Sequence, residues 1–304
     1  MEQDILFSVV VPTYNRANLI QKTLDSVFNQ SFSNYEVIVV DNASKDDSMN
    51  TIQNLPHVRL IKNAKNLGFS TGCNIGIKAA TSDNLLFINP DCSFDPGTIQ
   101  ILLEQLHSDS SIGMAGGLLL NADGTEQGAG RRAMPTPWRS FVRAFGLTRF
   151  ADRWPRLFYD FHLYKQELPK ESFAVEAISG ACMLVKRSAI LDVGLWDETY
   201  FLHCEDLDWC MRFCKKGWKI FFVPTAIITH EAGGCSHSRP IFVEWHKHKG
   251  MTRFYLKFFR HQYPGLLMSL VAVGVWFRFC LILIQHMFKN LRFSLSACFK
   301  FLFF

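Results

Sequence analysis

Over the first 115 residues, short β-branched apolar runs alternate with amphipathic stretches, and this alternation predicts the architecture. Residues 6–11, 36–40, 58–61 and 85–88 read as strands; residues 19–29, 46–54 and 71–80 between them read as helices. Strands this uniformly apolar are buried on both faces, as in a parallel sheet covered by helices. The expected unit is a doubly wound α/β half, whose ligands bind beyond the carboxyl ends of the strands. Polar clusters follow three of the strands: Pro12-Thr13-Tyr14-Asn15, Asp41-Asn42 and Asn89-Pro90-Asp91. One such cluster is a turn. Three along the same sheet edge predict a ligand cleft.

The pattern weakens from residue 114 to about 173. There Gly116-Gly117, a glycine-rich acidic stretch at 121–130, Arg131-Arg132 and several aromatics predict a strand and then a long, partly helical excursion able to cover an active site. Its basic residues either meet an acceptor phosphate or form a solvated surface. Order returns with a strand over 175–186 that carries Ser179-Gly180, and a turn at Gly194-Leu195-Trp196-Asp197. A helix over 205–215 has Leu207, Cys210, Met211 and Cys214 at helical spacing, with Gly217 just past its end. Short strands at 218–223 and 226–229 follow, the second leading into His230-Glu231. Residues 266–284 form an apolar stretch whose one charged residue is Arg278, a length that just spans a bilayer. With Lys289, Arg292 and Lys300 downstream, an in-plane or re-entrant helix pair fits equally, and a buried helix of a soluble core is the third reading.

Composition narrows the class. At 304 residues, 48% hydrophobic and 19% charged, the chain is globular rather than disordered. Its net charge of +5 is uneven: residues 236–304 hold ten Lys/Arg against one acid, Glu244, leaving the preceding part net acidic. A basic and greasy tail points to an anionic membrane surface; nucleic acid is not expected, because no nucleic-acid-binding motif accompanies the charge. The expected organisation is a domain over residues 1–235, divided into a nucleotide-binding half (1–115) and an acceptor and catalytic half (116–235), with a membrane-associating tail over 236–304. Nine cysteines and an N-terminal stretch without the positive region of a signal peptide predict reduced thiols in a cytosolic compartment. Cys204, Cys210 and Cys214 lack paired CxxC spacing and read as helix and core residues.

Seven segments carry a resemblance. SVVVPTYNR (8–16), VDNASKDDS (40–48), NLGFSTGCNIGI (66–77), NPD (89–91), SGACMLVKR (179–187), ED (205–206) and HEAGG (230–234) occur in this order. Together they resemble the family 2 glycosyltransferases of the glycosyltransferase A (GT-A) fold, and most of all the rhamnosyltransferase-type branch that assembles cell-wall and O-antigen polysaccharides. The resemblance spans residues 8–234, with a basic apolar tail common in the group. It implies a Rossmann-like nucleotide-binding mixed sheet and an inverting transfer at the cytoplasmic face of a membrane. The donor it implies is a nucleotide-diphosphate sugar, dTDP-L-rhamnose first and a UDP- or GDP-sugar otherwise; the acceptor is a polyprenyl-diphosphate-linked saccharide. A non-catalytic nucleotide-sugar-binding or scaffold protein of the same fold is the alternative, and Asn89 is the feature that leans toward it. A processive synthase would need more apolar spans.

The resemblance also distributes roles. Pro12, Thr13, Asn15 and Arg16 follow the first strand and Asp41 the second, matching nucleotide-binding positions. Asp41 either accepts a hydrogen bond from the base or makes an Asx turn or helix cap together with Ser44 and Asp46. Asn66, Gly68, Gly72 and Asn74 match a loop and helix start lying along the nucleotide, where glycine permits close approach and a helix N-terminus favours anions. Ser179 and Gly180 are assigned to the same donor site. Neither a GxGxxG nor a Walker loop is present. Asn89-Pro90-Asp91 stands where many relatives carry DxD. It makes Asp91 the first ligand of a divalent cation, Mg2+ or Mn2+, while Asn89 offers only a neutral amide oxygen. His230 matches a second ligand, and an imidazole suits Mn2+ better than Mg2+; otherwise it is a structural hydrogen bonder. The glycines after it are expected to fold over the donor. Asp206 matches the general base that deprotonates the acceptor hydroxyl opposite the departing diphosphate, inverting the anomeric centre. Glu205 holds a sugar hydroxyl or orients Asp206, or else both acids merely suit a helix N-terminus. Asp208 reads as structural. Trp196, Asp197 and Trp209 either shape a sugar pocket or belong to the core.

Overall fold

In the computed structural model, which describes residues 5–53, 55, 57–231 and 239–301, the alternation of the first half becomes four parallel strands and their helices. These are β1 (Phe7–Thr13), α1 (Ala17–Phe28), β2 (Tyr35–Asp41), α2 (Ser48–Ile52), β3 (Val58–Lys62), α3 (Phe69–Ala79) and β4 (Asn84–Ile88), with strand order β3-β2-β1-β4. β1 and β4 are buried along their whole lengths, as continuous apolar runs require. Helix α3 lies so close to β1 that a Cβ on Gly76 would stand 2.2 Å from Val10 Cγ1. β3 departs from the expectation of burial on both faces. It is the edge strand, and its residues are half-buried or exposed.

The second half completes a mixed sheet. It comprises β5 (Cys92–Phe94), α4 (Thr98–His107), β6 (Ile112–Leu120), β7 (Arg131–Arg132), α5 (Pro137–Ala144), β8 (Phe173–Val175), β9 (Ala177–Ile178), β10 (Cys182–Lys186), α6 (Arg187–Val193), α7 (Glu205–Lys215) and β11 (Lys219–His230). β10 inserts antiparallel between β4 and β6, with Cys182 opposite Ile88 and Leu184 opposite Ala115. β11 runs parallel to β6, and β5 pairs antiparallel with the end of β11. Val9, Val11, Leu86, Ile88, Leu184 and Ile228 interlock in one core, each such side chain withdrawn from water contributing about 1.5–3 kcal/mol.

Two expectations change here. The strand foreseen over 175–186 is three: β8 pairs with β11, β9 pairs with β7 in a separate two-stranded sheet, and a turn at Ser179-Gly180 redirects the chain into β10. Conversely, the two strands foreseen at 218–223 and 226–229 are one. β11 slips register between Val223 and Ile227, around Pro224, which has no N–H to give a neighbour. Helix α7 ends as expected, with Gly217 at φ +83°.

The chain divides into two compact units, Met1–Gly234 and Cys235–Phe304. The second is a pair of helices, α8 (Pro240–Phe259) and α9 (Gly265–Phe301). Trp245 packs on Trp276 and Phe279 at centroid distances of 5.0 and 5.7 Å, and Arg278 Nη1 lies 3.4 Å from His248 Nε2. Among the described residues, Gly265–Phe288 is the stretch long and apolar enough to cross a membrane, with a mean hydropathy of 2.3 and most of its surface uncovered.

Candidate active site

The sheet gathers residues distant in sequence along one edge. Thr13 and Asp41 end adjacent parallel strands and pair in register. β4 ends beside the start of the antiparallel β10, so the Asn89–Asp91 turn faces the Ser179-Gly180 turn, and the Asn89 N–H donates to Ala181 O at 2.9 Å. β11 ends with His230 opposite Cys92.

The loops after β1 and β2 are laced together. Asn15, in the left-handed region at φ +53°, donates its N–H to Ser44 Oγ (2.8 Å), and its Oδ1 accepts from the Lys45 N–H (2.7 Å). The Arg16 N–H donates to Ser48 Oγ, and the Ala17 N–H to Asp46 Oδ2. Asp41 is buried, and its two carboxylate oxygens share the Ser44 N–H at 3.2 and 3.1 Å, an Asx-type turn that leaves lone pairs over. Pro12 is buried, and Thr13 Oγ1 is buried without a hydrogen-bond partner among the described residues.

The loop before α3 packs closely against neighbouring protein. Asn66 Oδ1 accepts from the Gly68 N–H at 2.9 Å, but a Cβ on Gly68, at φ +88°, would stand 2.7 Å from Phe201 O. A Cβ on Gly72 would stand 3.0 Å from Pro12 Cβ. Neighbouring protein therefore limits the side chain at both positions. Asn74 is held by protein as well. Its buried amide donates to Trp196 O (2.9 Å) and Glu198 Oε1 (2.8 Å) and accepts from the Trp196 N–H (3.0 Å), tying α3 to the 194–198 loop. Trp196 and Trp209 are core: both are buried, their centroids 4.1 Å apart, each edge-on to Phe87.

A second corner joins Asp91, His230, Asn89 and Gln127. Gln127 Nε2 donates to the His230 carbonyl at 2.8 Å, so its Oε1, 2.9 Å from His230 Nδ1, must accept the Nδ1–H. That orients the ring with Nδ1–H toward Gln127 and puts Nε2, the lone-pair nitrogen whenever the ring is neutral, 3.2 Å from Asp91 Oδ1. Asp91 Oδ1 is buried with no hydrogen-bond partner among the described residues. Two ligands about 2.1 Å from one hard cation and at right angles stand about 3 Å apart, so this pair fits a divalent ion. The Asn89 amide nitrogen lies 3.4 Å from the same Nε2; turned over, the amide presents its oxygen there. Cys92 completes a cluster of three metal-capable groups. Its Sγ donates to Ala181 O, and burial, then the Asp91 charge, push its thiol well above the ordinary value, so it stays protonated. The glycines after His230 lie outside the described residues.

The third group is at the N-terminus of α7. His203 and Cys204 precede it in the left-handed region, at φ +67° and +70°, a strain of about 1–2 kcal/mol for each non-glycine residue. They turn the chain so that Asp206 Oδ2 receives the Gly180 N–H at 3.4 Å and Arg132 Nη2 at 2.5 Å. The Arg132 and Asp206 side chains are 13% and 16% exposed. Beside them Glu205 is 8% exposed, and its Oε2 meets no hydrogen-bond partner among the described residues. Burial, then the Asp206 charge, push Glu205 up to about 8. Asp208 is structural, pairing with Arg212 at 2.7 Å.

Sequence reasoning missed Gln127 and Arg132. Strand alternation splits the arginine doublet: Arg131 turns inward to Glu126 (2.7 Å) and Gln166 O (2.9 Å), and Arg132 turns to Asp206. A paired arginine directly after the glycine-rich stretch at 121–130 was the signal available.

Comparison with known proteins bears on this arrangement. Glycosyl transferase family 2 matches residues 8–194, and Glycosyl transferase family group 2 matches residues 129–304. The chain is 31% identical over 234 residues to the N-acetylglucosaminyl-diphospho-decaprenol L-rhamnosyltransferase of Mycobacterium tuberculosis, covering 73% of this chain and 75% of that protein. Among solved structures it is similar to the mannosyltransferase PcManGT from Pyrobaculum calidifontis in complex with GDP-Man and Mn2+, with a TM-score of 0.58 and 16% identity over 90% of this chain and 70% of that one. A crystal structure of GalNAc-T7 with UDP, GalNAc and Mn2+ gives a TM-score of 0.56 and 18% identity over 76% of this chain and 44% of that one.

Proposed function

The chain belongs to glycosyl transferase family 2, with the GT-A fold, and from that premise we propose that it transfers L-rhamnose from dTDP-L-rhamnose, with inversion, to a polyprenyl-diphosphate-linked saccharide in cell-wall polysaccharide assembly. The sugar and the acceptor are suggested by the rhamnosyltransferase relative. One observation carries the catalytic reading. The Asn89 N–H to Ala181 and the Gly180 N–H to Asp206 join the Asp91–His230 corner and the Asp206 carboxylate through a single three-residue turn. An anomeric carbon between them has a diphosphate-binding corner on one side and a base on the other. A thermal-shift screen with nucleoside diphosphates and their sugars, followed by assay of released diphosphate, tests the reading. Stabilisation by dTDP and turnover of dTDP-rhamnose are expected; turnover of no donor in the panel would leave the scaffold alternative standing.

In this reading Asp41 takes the base N–H through its spare lone pairs, with Pro12, Thr13, Asn15, Arg16 and Asn66 forming the loops around the nucleotide, and Ser179 and Gly180 bordering the sugar. Asp91 and His230 would hold the divalent cation, with Asn89 beside it, and would so supply charge neutralisation for the departing diphosphate. Gln127 fixes the imidazole from behind. Gln127→Leu is therefore expected to weaken Mn2+ binding about 10–100-fold, read by titration of the metal-induced thermal shift. An unchanged titration would remove Gln127 from the site.

Asp206 removes the acceptor proton. Arg132 holds it in place, and Glu205, protonated through neutral pH, offers a donor to the acceptor or the sugar. A carboxyl group raised in the folded state weakens folding as pH climbs from its unfolded value, about 4.3, toward the folded value of about 8. Glu205→Gln copies the protonated form. Its melting temperature should rise relative to wild type between pH 5 and pH 8, each pH unit being worth about 1.4 kcal/mol, and the gap should level off above. A gap independent of pH would mean that Glu205 is ionised in the folded protein.

Residues 1–115 supply the nucleotide side and 116–235 the acceptor side, and residues 236–304 hold the enzyme at the cytoplasmic face of the membrane through the apolar helix from Gly265.

A further inference from the structure

Residues 137–158, on the first unit, carry a surface that the transfer chemistry does not use. Phe145 is 66% exposed and Trp154 50%, with Trp138, Phe141 and Leu157 also exposed. These rings are organised. Phe141 stacks between Trp138 (5.6 Å) and Phe145 (4.5 Å), and Trp154 and Phe158 cluster with Phe150. Trp138 Nε1 donates to Leu157 O at 2.7 Å, joining the two groups into one ridge. Its inner face is anchored: Val142 is fully buried, Arg139 is bonded to Glu176 and Arg143 to Asp160. An apolar ridge fixed in this way and left uncovered marks an interaction surface.

Charge selects the partner. The segment holds five arginines against one acid, Asp152. Arg149, Arg153 and Arg156 are exposed and face no carboxylate within ion-pair distance among the described residues, and Arg149 rides on the Phe150 ring. Tryptophan and phenylalanine beside uncompensated arginine suit the interfacial layer of an anionic bilayer, where rings enter the headgroup region and guanidinium groups meet phosphates. A protein partner burying this ridge would have to neutralise the same arginines.

We propose that residues 137–158 dock the catalytic unit on an anionic lipid surface, with Trp138, Phe141, Phe145 and Trp154 in the interfacial layer and Arg149 and Arg153 on lipid phosphate. This contact is separate from the apolar helix from Gly265. The ridge begins five residues beyond Arg132, whose guanidinium holds Asp206. If the acceptor is the lipid-linked saccharide proposed above, docking sets the base at the level of its diphosphate; the lipid contact itself does not depend on which sugar is moved.

Hydrogen exchange by mass spectrometry on the full chain in nanodiscs, without donor or acceptor, tests this. Exchange over 137–158 should be at least about fivefold slower in phosphatidylglycerol than in phosphatidylcholine discs, the effect of one well-placed basic residue. Arg149→Gln/Arg153→Gln/Arg156→Gln should abolish the difference while leaving the lipid-free melting temperature unchanged. Equal exchange in both discs would overturn the proposal. So would protection that appears without lipid and grows with protein concentration, which assigns the ridge to a second copy. Because no transfer is measured, failure of the donor screen leaves this result readable.

Discussion

Asp206→Asn is expected to leave a folded protein that still binds its nucleotide and transfers sugar about 10²–10⁴ times more slowly, the range a positioned general base supplies. The amide keeps the shape of the side chain and still accepts from the Gly180 N–H, but it cannot take a proton. It also removes the carboxylate that Arg132 meets at 2.5 Å. Deleting one partner of a buried pair costs about 3–5 kcal/mol; here both groups retain some exposure, so the lower end applies. Lost stability must therefore be separated from lost chemistry. Adding Arg132→Gln to Asp206→Asn removes the unpaired cation and should recover much of the melting temperature without recovering turnover. Donor-induced thermal shift, which does not depend on the base, should persist in both variants. Full transfer activity in Asp206→Asn would end the base assignment, and recovery of rate along with stability would make Asp206 a structural partner of Arg132.

What the chain reveals before folding divides along physical lines. β1 and β4 are legible because residues buried on both faces are apolar without interruption, and their ends are legible because Thr13, Asp41 and Asn89 are polar where the run stops. The convergence of the NPD and ED segments depends on β10 entering antiparallel beside β4. No local pattern encodes that pairing; it follows from which distant apolar faces fit together. The turn before α7 was invisible for a different reason. His203 and Cys204 adopt positive φ without being glycine or asparagine, so local propensity argued against the conformation the site uses. Gly68, Gly72 and Asn74 were legible as important, and the fold adds that Phe201, Pro12 and Trp196 stand against them. A motif marks a position that tolerates little change without saying whether ligand or protein imposes the limit. Gln127 acts only through His230 and bears no motif, so only the fold reveals it.

Asp91→Ala should abolish the Mn2+-induced thermal shift, weaken binding of the nucleoside diphosphate, and lower turnover at least about 100-fold, since a bound cation contributes several kcal/mol to stabilising the leaving diphosphate. The same substitution should lower the melting temperature less in EDTA than in Mn2+. Asp91 Oδ1 is buried with no hydrogen-bond partner among the described residues and stands 3.2 Å from His230 Nε2. In Mn2+ the variant loses that contact and the ion the pair would share; in EDTA it loses the contact alone. Most substitutions of a nearly buried, motif-bearing residue destabilise the protein; this one should do so most when Mn2+ is present to be lost. The two arms separate a metal ligand from a structural acid. An Asp91→Ala protein that loses as much melting temperature in EDTA as in Mn2+ would mean that the carboxylate holds the fold. One that keeps its Mn2+ shift would mean that the ion is bound without Asp91. If wild-type turnover also proved indifferent to EDTA, the Arg and amide groups along the same edge would have to stabilise the diphosphate, and Asn89 would then be a sign of a metal-independent enzyme.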